Sequence, residues 1–310
     1  MKKCTVFAPA TVANVGSGFD VLGFALCDVG DLVQVEESSK PGLVIEAIIG
    51  ADNIPLDPAK NVCTVAAQAL LNALDGKQKC GYKFTITKRV AAGSGLGSSA
   101  SSSAAAVMAV NELLDSPFSR HELIPFAMKG EALASGAEHA DNVAPSILGG
   151  FTLVQSYEPL RVVNLHYPEE LVVTVVHPHV EVKTADSKRI LRQSIPLKTA
   201  ITQWANVGGL VAGLAQENFE LIGHSLHDVV AEPTRSMLIP MYEQVKILSH
   251  EMGSLGCSIS GSGPSVFVLS ESMDIAQNLG VSLKSLYMDH LISCDVYLSK
   301  INKMGCQVIK

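Results

Sequence analysis

Hydrophobic positions change their period several times along the chain. Tyr82, Phe84 and Ile86 alternate with Lys83, Thr85 and Thr87, which predicts a half-buried strand over Gly81–Val90. Between Asn61 and Leu74, Val62, Val65, Ala66, Ala69, Leu70 and Ala73 recur at threes and fours and form one helical face. Helices are also expected over Ser98–Leu114, with very small residues on its first turns, and over Arg120–Ser135. Thr5–Ala8, Leu32–Glu36 and Leu43–Ile49 read as early strands, interrupted by Pro9, by glycines and by Lys40-Pro41-Gly42. The Val-rich stretch Glu170–His177 predicts a buried strand.

The second half carries a polar, basic helix near Ala185–Arg192 and helices near Leu197–Gln216, Phe219–Val229 and Met241–Met252. Cys257–Ser260 and Ser265–Leu269 flank a glycine turn as a hairpin, and Leu291–Leu298 and Cys306–Ile309 are extended. Strands and helices mix without strict β-α-β alternation, so the expected class is α+β. A chain of 310 residues is long enough for two cores. The boundary is placed near Leu160–Tyr167, giving domains 1–163 and 164–310.

Composition narrows the function classes. A net charge of -7 excludes a strongly basic nucleic-acid binder but leaves room for a locally bound anion. The seven cysteines are scattered and never spaced as C-x-x-C, which speaks against a disulfide framework or zinc knuckle and for a reducing compartment. The N-terminal residues lack the apolar run of a signal peptide. Val90–Asn111 is uncharged, yet its first half is rich in glycine and serine, so no membrane span is expected and the protein reads as cytoplasmic. His177 and His179 share one strand face, but no third ligand stands near them in sequence, and they read as unmetalled.

The most informative segment is Ala91-Ala92-Gly93-Ser94-Gly95-Leu96-Gly97-Ser98-Ser99-Ala100-Ser101, set between a strand and a helix. Alternating glycines let backbone approach a ligand closely. The serines fall at a helix N-terminus, where unpaired N–H groups and the dipole favour an anion. No lysine follows Gly97, so the Walker pattern is absent. Gly95-x-Gly97-x-x-Ala100 also fits a dinucleotide fingerprint, but the acidic Glu112 and Asp115 end the same helix rather than a second strand.

Two further segments complete a set: Pro9–Gly23, which holds Asn14 and Asp20 among glycines, and Cys257–Ser265, a second Gly-Ser turn that includes Gly261. With the glycine-serine turn they resemble the three signature motifs of the GHMP small-molecule kinases, in order and over nearly the whole chain. The stretch Glu131–Gly150 and the element Glu232-Pro233-x-Arg235 resemble the members that phosphorylate homoserine. Ala91 departs from the family's usual proline.

The resemblance implies a ribosomal protein S5 domain 2-like N-terminal domain, a ferredoxin-like C-terminal domain and a site between them. It implies ATP and Mg²⁺, with Ser98 and Glu131 on the metal and residues 91–101 around the triphosphate. Asn61 matches the adenine-contacting position, with a helix cap as the alternative. The small-molecule partner it implies is L-homoserine, in a homodimer. Asn14 and Asp20 match the amine side. Arg235 matches the carboxylate clamp with Thr184, and Lys188 stands where the family has arginine, followed by Arg189. His139, Asp141 and Asn142 match the substrate-side cluster, Asn142 orienting the hydroxyl and Asp141 being the alternative as a base. Another GHMP kinase activity and a non-catalytic metabolite-binding role remain as alternatives.

Overall fold

A computed structural model describes residues 2–74, 80–180, 182, 187 and 189–309. Thr184, Lys188 and residues 185 and 186 of the expected helix at 185–192 lie outside the described residues.

The first sheet has seven strands. Its path is β11 (Gln307–Ile309), β1 (Lys3–Ala13), β2 (Leu22–Ser38), β4 (Gly81–Thr87) and β3 (Leu43–Ile49), and β2 also pairs with β5 (Phe151–Tyr157), which pairs with β6 (Leu160–Leu165). Among the described pairs only β3–β4 is parallel, so no dinucleotide-binding βαβαβ layout is present there. α1 (Val62–Asn72), α2 (Ser98–Leu113) and α3 (Arg120–Ser135) pack with this sheet, and α2 is buried along nearly its whole length. Its alanines and serines make that possible, because small side chains let neighbouring elements approach from all sides. α3 starts at a capping box, Ser119 with Glu122. The short α4 (Val143–Leu148) follows it.

The second sheet runs β10 (Cys294–Lys300), β7 (Val172–Pro178), β9 (Val266–Ser270) and β8 (Gly256–Ile259), all antiparallel. α5 (Leu197–Ala215), α6 (Phe219–Ser225), α7 (Glu232–Arg235), α8 (Tyr242–Glu251) and α9 (Met273–Asp289) complete this half. One apolar cluster spans both sheets, and Phe24 of β2 meets Phe267 of β9 edge-on at 5.8 Å. The two halves therefore share a core, which fixes the cleft between them.

The expected α+β class is what forms, and most expected elements appear with ends shifted by a few residues. β1 runs straight through Pro9, which sits at a bulge where the register shifts between Pro9 and Thr11. A bulge is one of the few places where a strand tolerates proline. Of the motif at 9–23 only residues 14–21 thereby lie between the two strands. α9 and the β5–β6 hairpin are not among the expected elements. The division after residue 163 falls inside β6, and β11 returns the C-terminus to the first sheet. No helix among the described residues is long and apolar enough to cross a membrane.

Candidate active site

α2 begins at Gly97, whose φ of 61° is left-handed, and no side chain caps the helix. Its first N–H groups are thus left for a ligand. Gly95 also needs its glycine: φ is 84°, and a Cβ there would stand 2.6 Å from the Ser260 carbonyl oxygen. The loop is tied to the second Gly-Ser turn, since Ser260 Oγ donates to the Gly95 carbonyl at 2.7 Å and Ser265 N to the Ser94 carbonyl at 3.2 Å.

Behind the loop lies a buried polar brace. Asp31 pairs with Lys88 and accepts from Arg89 N at 2.9 Å and from the Ser101 and Ser102 hydroxyls at 2.9 Å each. Lys88 Nζ also donates to the Ser98 carbonyl at 2.8 Å. A buried charge is tolerable here because it is paired and fully hydrogen-bonded. Lys88, three residues before Ala91, holds the loop from the rear.

In front of the loop opens a cleft of about 360 Å³. It gathers Gly93, Gly95, Gly97, Ser98, Ser99 and Glu131 with Asn14, Asp20, His139, Asp141, Asn142, Arg235 and Gly261. A second cavity of about 240 Å³ adjoins it and shares Ala92, Ser98 and Ser99. Asn61 lines this second cavity, and its amide caps α1 at Cys63 N, 3.0 Å, and donates to the Pro55 carbonyl at 3.0 Å. Ala91, Ser94, Leu96, Ala100 and Ser101 line neither cavity and shape the loop from behind or beside it. Arg189 is exposed and also lines neither.

The two leading serines of α2 differ. Ser98 Oγ donates to the Val90 carbonyl at 2.9 Å, whereas Ser99 Oγ donates to Glu131 Oε2 at 2.6 Å. The oxygen pair facing the cleft is therefore Ser99 with Glu131. The resemblance had set Ser98 beside Glu131, whereas it is Ser99 that is bonded to this carboxylate, because helical phase at a first turn decides which serine meets it.

At the other end, Asn14 Nδ2 donates to the Gly261 carbonyl at 2.7 Å, and its Oδ1 accepts from Asp20 N at 3.0 Å. His139 Nδ1 is 3.8 Å from Asp20 Oδ1. Asp141 is buried, and burial, then the charges of Asp20 and Glu131, push its carboxyl up to about 7. Arg235 lies over the Phe19 ring at 5.0 Å and donates to the Gly261 carbonyl at 3.1 Å and the Ser187 carbonyl at 3.3 Å. Burial lowers its pKa, opposed by Asp20, Asp228 and Asp141. Asp228 caps the turn into α7 by accepting from Val230 N and Glu232 N at 2.8 and 2.9 Å. Thr11, Phe19, Lys88, Asp31 and Asp228 escaped the sequence reading. Thr11 and Phe19 lie inside the first motif, but nothing in the local pattern marks them as supports.

Among the described residues, three carboxyl groups, of Asp20, Glu131 and Asp141, and one guanidinium, of Arg235, line this cleft. Such a site attracts cations, while the uncapped helix at its edge attracts an anion. A metal-bound phosphate together with an ammonium group satisfies both demands.

Comparison with known proteins agrees with this geometry. Residues 61–150 match the model of the GHMP kinases N terminal domain, and residues 210–287 match that of the GHMP kinases C terminal. The fold is that of a GHMP kinase. A homoserine kinase of Chlorobium phaeobacteroides is 44% identical over 100% of both chains, and one from Methanococcus maripaludis is 38% identical over 99% of each. The crystal structure of homoserine kinase from Cytophaga hutchinsonii superimposes with a TM-score of 0.96 at 49% identity, covering 100% of this chain and 98% of that one. A mevalonate kinase, 15% identical with a TM-score of 0.72, shares the fold. The chain belongs to the homoserine kinase family.

Proposed function

We propose that the cleft transfers the γ-phosphoryl group of ATP to the side-chain hydroxyl of L-homoserine, giving O-phospho-L-homoserine and ADP. The observation that carries this is the meeting of an open helix N-terminus with Asn142 and Arg235 in one cleft. The bond between the γ-phosphorus and the β,γ-bridging oxygen breaks as the hydroxyl oxygen bonds to phosphorus. Such a loose transition state asks mainly for position and charge neutralisation.

The triphosphate lies along the loop amides of residues 93–99, with the nucleoside directed to the cavity at Asn61. Ser99 and Glu131 supply hard oxygen donors that fit Mg²⁺; when bound, the ion neutralises charge on the phosphates. Ser98 shapes the loop beside them. Asn14, Asp20, His139 and Asp141 form the amine side of the substrate pocket. Arg235 takes the carboxylate, held in aim by Phe19 and two backbone carbonyls. Asn142 Oδ1 is already bonded by Thr11, so its N–H groups orient the attacking hydroxyl oxygen. A donor there positions the nucleophile without removing its proton, which leaves late, to the transferred group.

A coupled ADP-release assay over homoserine, mevalonate, galactose and shikimate tests this. Turnover is expected to be highest on homoserine; a higher rate on any of the other three rejects the reading.

A further inference from the structure

We propose a metal site for a borderline divalent cation of the zinc class at the edge of the C-terminal sheet, formed by His177, His179 and Asp295. The third ligand missing from the local sequence comes from 116 residues further on. β7 and the edge strand β10 pair so that His177 stands opposite Asp295. Directly opposed residues put their side chains on one face, and His179, two residues on, shares it.

The three ligating atoms lie within 4.8 Å of one another. His179 Nε2 is 2.9 Å from Asp295 Oδ2, and His177 Nδ1 is 4.0 Å from the same oxygen. A tetrahedral ion with bonds near 2.0–2.1 Å needs donor separations of about 3.4 Å, and the two observed distances bracket that value. Small side-chain adjustments close the set.

A second observation points to a ligand. His177 is only 8% exposed, and its Nδ1 is shut from solvent with no hydrogen-bond partner among the described residues. Buried polar atoms are rarely left so. His179 and Asp295 are exposed and leave the outer coordination position to water.

Two imidazoles and one carboxylate suit Zn²⁺, Co²⁺ or Ni²⁺ rather than Mg²⁺, which takes oxygen shells. None of the three residues lines the catalytic cleft, so the site is separate from the Ser99–Glu131 pair. An ion here ties the end of β7 to the edge strand, supplementing the bond from His179 N to the Ser293 carbonyl at 2.8 Å.

The test uses the full chain, stripped with a chelator and free of nucleotide. Zn²⁺ is titrated by calorimetry, Co²⁺ is followed by visible absorption, and thermal melting is recorded with and without Zn²⁺. Asp295→Asn and His179→Gln change exposed side chains, and circular dichroism with Mg²⁺-ATP kinase activity verifies their fold. The expected result is saturable binding of one ion per chain, a raised melting temperature, and binding weakened by roughly tenfold or more in both variants. No saturable binding, or wild-type affinity in either variant, overturns the proposal. Retained affinity would place the ion elsewhere, for instance on cysteine thiols.

Discussion

Thr11 Oγ1 donates a 2.7 Å hydrogen bond to Asn142 Oδ1, joining β1 to the residue that precedes α4. The bond passes close beneath the glycine-serine loop. A Cβ on Gly97 would stand 2.2 Å from Thr11 Oγ1 and 2.7 Å from Asn142 Oδ1. Thr11 thus fixes the orientation of the Asn142 amide, and on the proposed reading which end of it meets the substrate. Thr11→Val preserves shape but removes the lock and frees the amide to turn. Losing one net hydrogen bond of about 1–1.5 kcal/mol corresponds to roughly tenfold. The expected outcome in steady-state kinetics is a kcat about tenfold lower with the ATP KM unchanged. An unaltered kcat would show that Asn142 is not held through Thr11.

Asp141 gives the enzyme a pH dependence of definite sign. Its carboxyl titrates near about 4 in an unfolded chain and is raised to about 7 in the fold by burial and by Asp20 and Glu131. The folded state therefore holds an extra proton between these values. Its stability is greatest below about pH 4 as far as this group is concerned, and falls as pH rises from about 4 to about 7. Asp141→Asn removes that slope and is expected to exceed the parent in unfolding free energy by about 2–4 kcal/mol at pH 8, with little difference at pH 4. Denaturant melts at the two pH values measure this. The substrate ammonium favours the ionised carboxyl, so the parent's homoserine KM should fall from pH 6 to 8. A flat KM across that range would separate Asp141 from the amine.

Ser98 and Ser99 offer a clean contrast. Only Ser99 is hydrogen-bonded to Glu131, while Ser98 turns to the Val90 carbonyl. Ser99→Ala is expected to raise the Mg²⁺ concentration for half-maximal rate by roughly tenfold, as a charge-assisted contact is lost. Ser98→Ala should shift it less and mainly loosen the loop. Titrating Mg²⁺ at fixed ATP distinguishes them, and the reverse order would assign the metal to Ser98.

The sequence made the site more legible than its supports. Gly93, Gly95 and Gly97 can be read because left-handed backbone and close approach leave few alternatives to glycine, and the structure uses Gly95 and Gly97 in that way. Asn14, Asp20, Glu131, Asp141, Asn142 and Arg235 carry chemistry that stands out against small neighbours, and they meet in one cleft. The supports were hidden for another reason. Asp31 lies 57 residues from Lys88 in sequence, and Thr11 lies 131 from Asn142. Pairings over such separations depend on strand register and helix phase, which no local period encodes. The same holds for β5–β6: no residue of β6 is fully buried, which leaves little hydrophobic alternation to read.

Arg235 supplies the sharpest test of substrate assignment. It is 5% exposed, stacked on Phe19 and bonded through Nε and Nη1 to the Ser187 and Gly261 carbonyls. Its chain is therefore fixed before substrate arrives, and the in-plane N–H groups of Nη2 have no partner among the described residues. Arg235→Lys keeps a positive charge but loses both the fork and the stacking plane. Its homoserine KM should rise at least about tenfold, the size of a charge-assisted hydrogen bond of about 1.5–3 kcal/mol. Arg235→Ala should cost more, because Asp20 and Asp141 then face the cleft with no arginine opposing them. The ATP KM should stay near the parent value in both, since the phosphate loop is held by Lys88, Asp31 and Ser260 instead. Phe19→Leu should give an intermediate rise, and combining it with Arg235→Lys should cost less than the two effects summed. Full additivity would mean that the ring does not aim the guanidinium, and an unchanged homoserine KM in Arg235→Lys would remove this arginine from the carboxylate clamp.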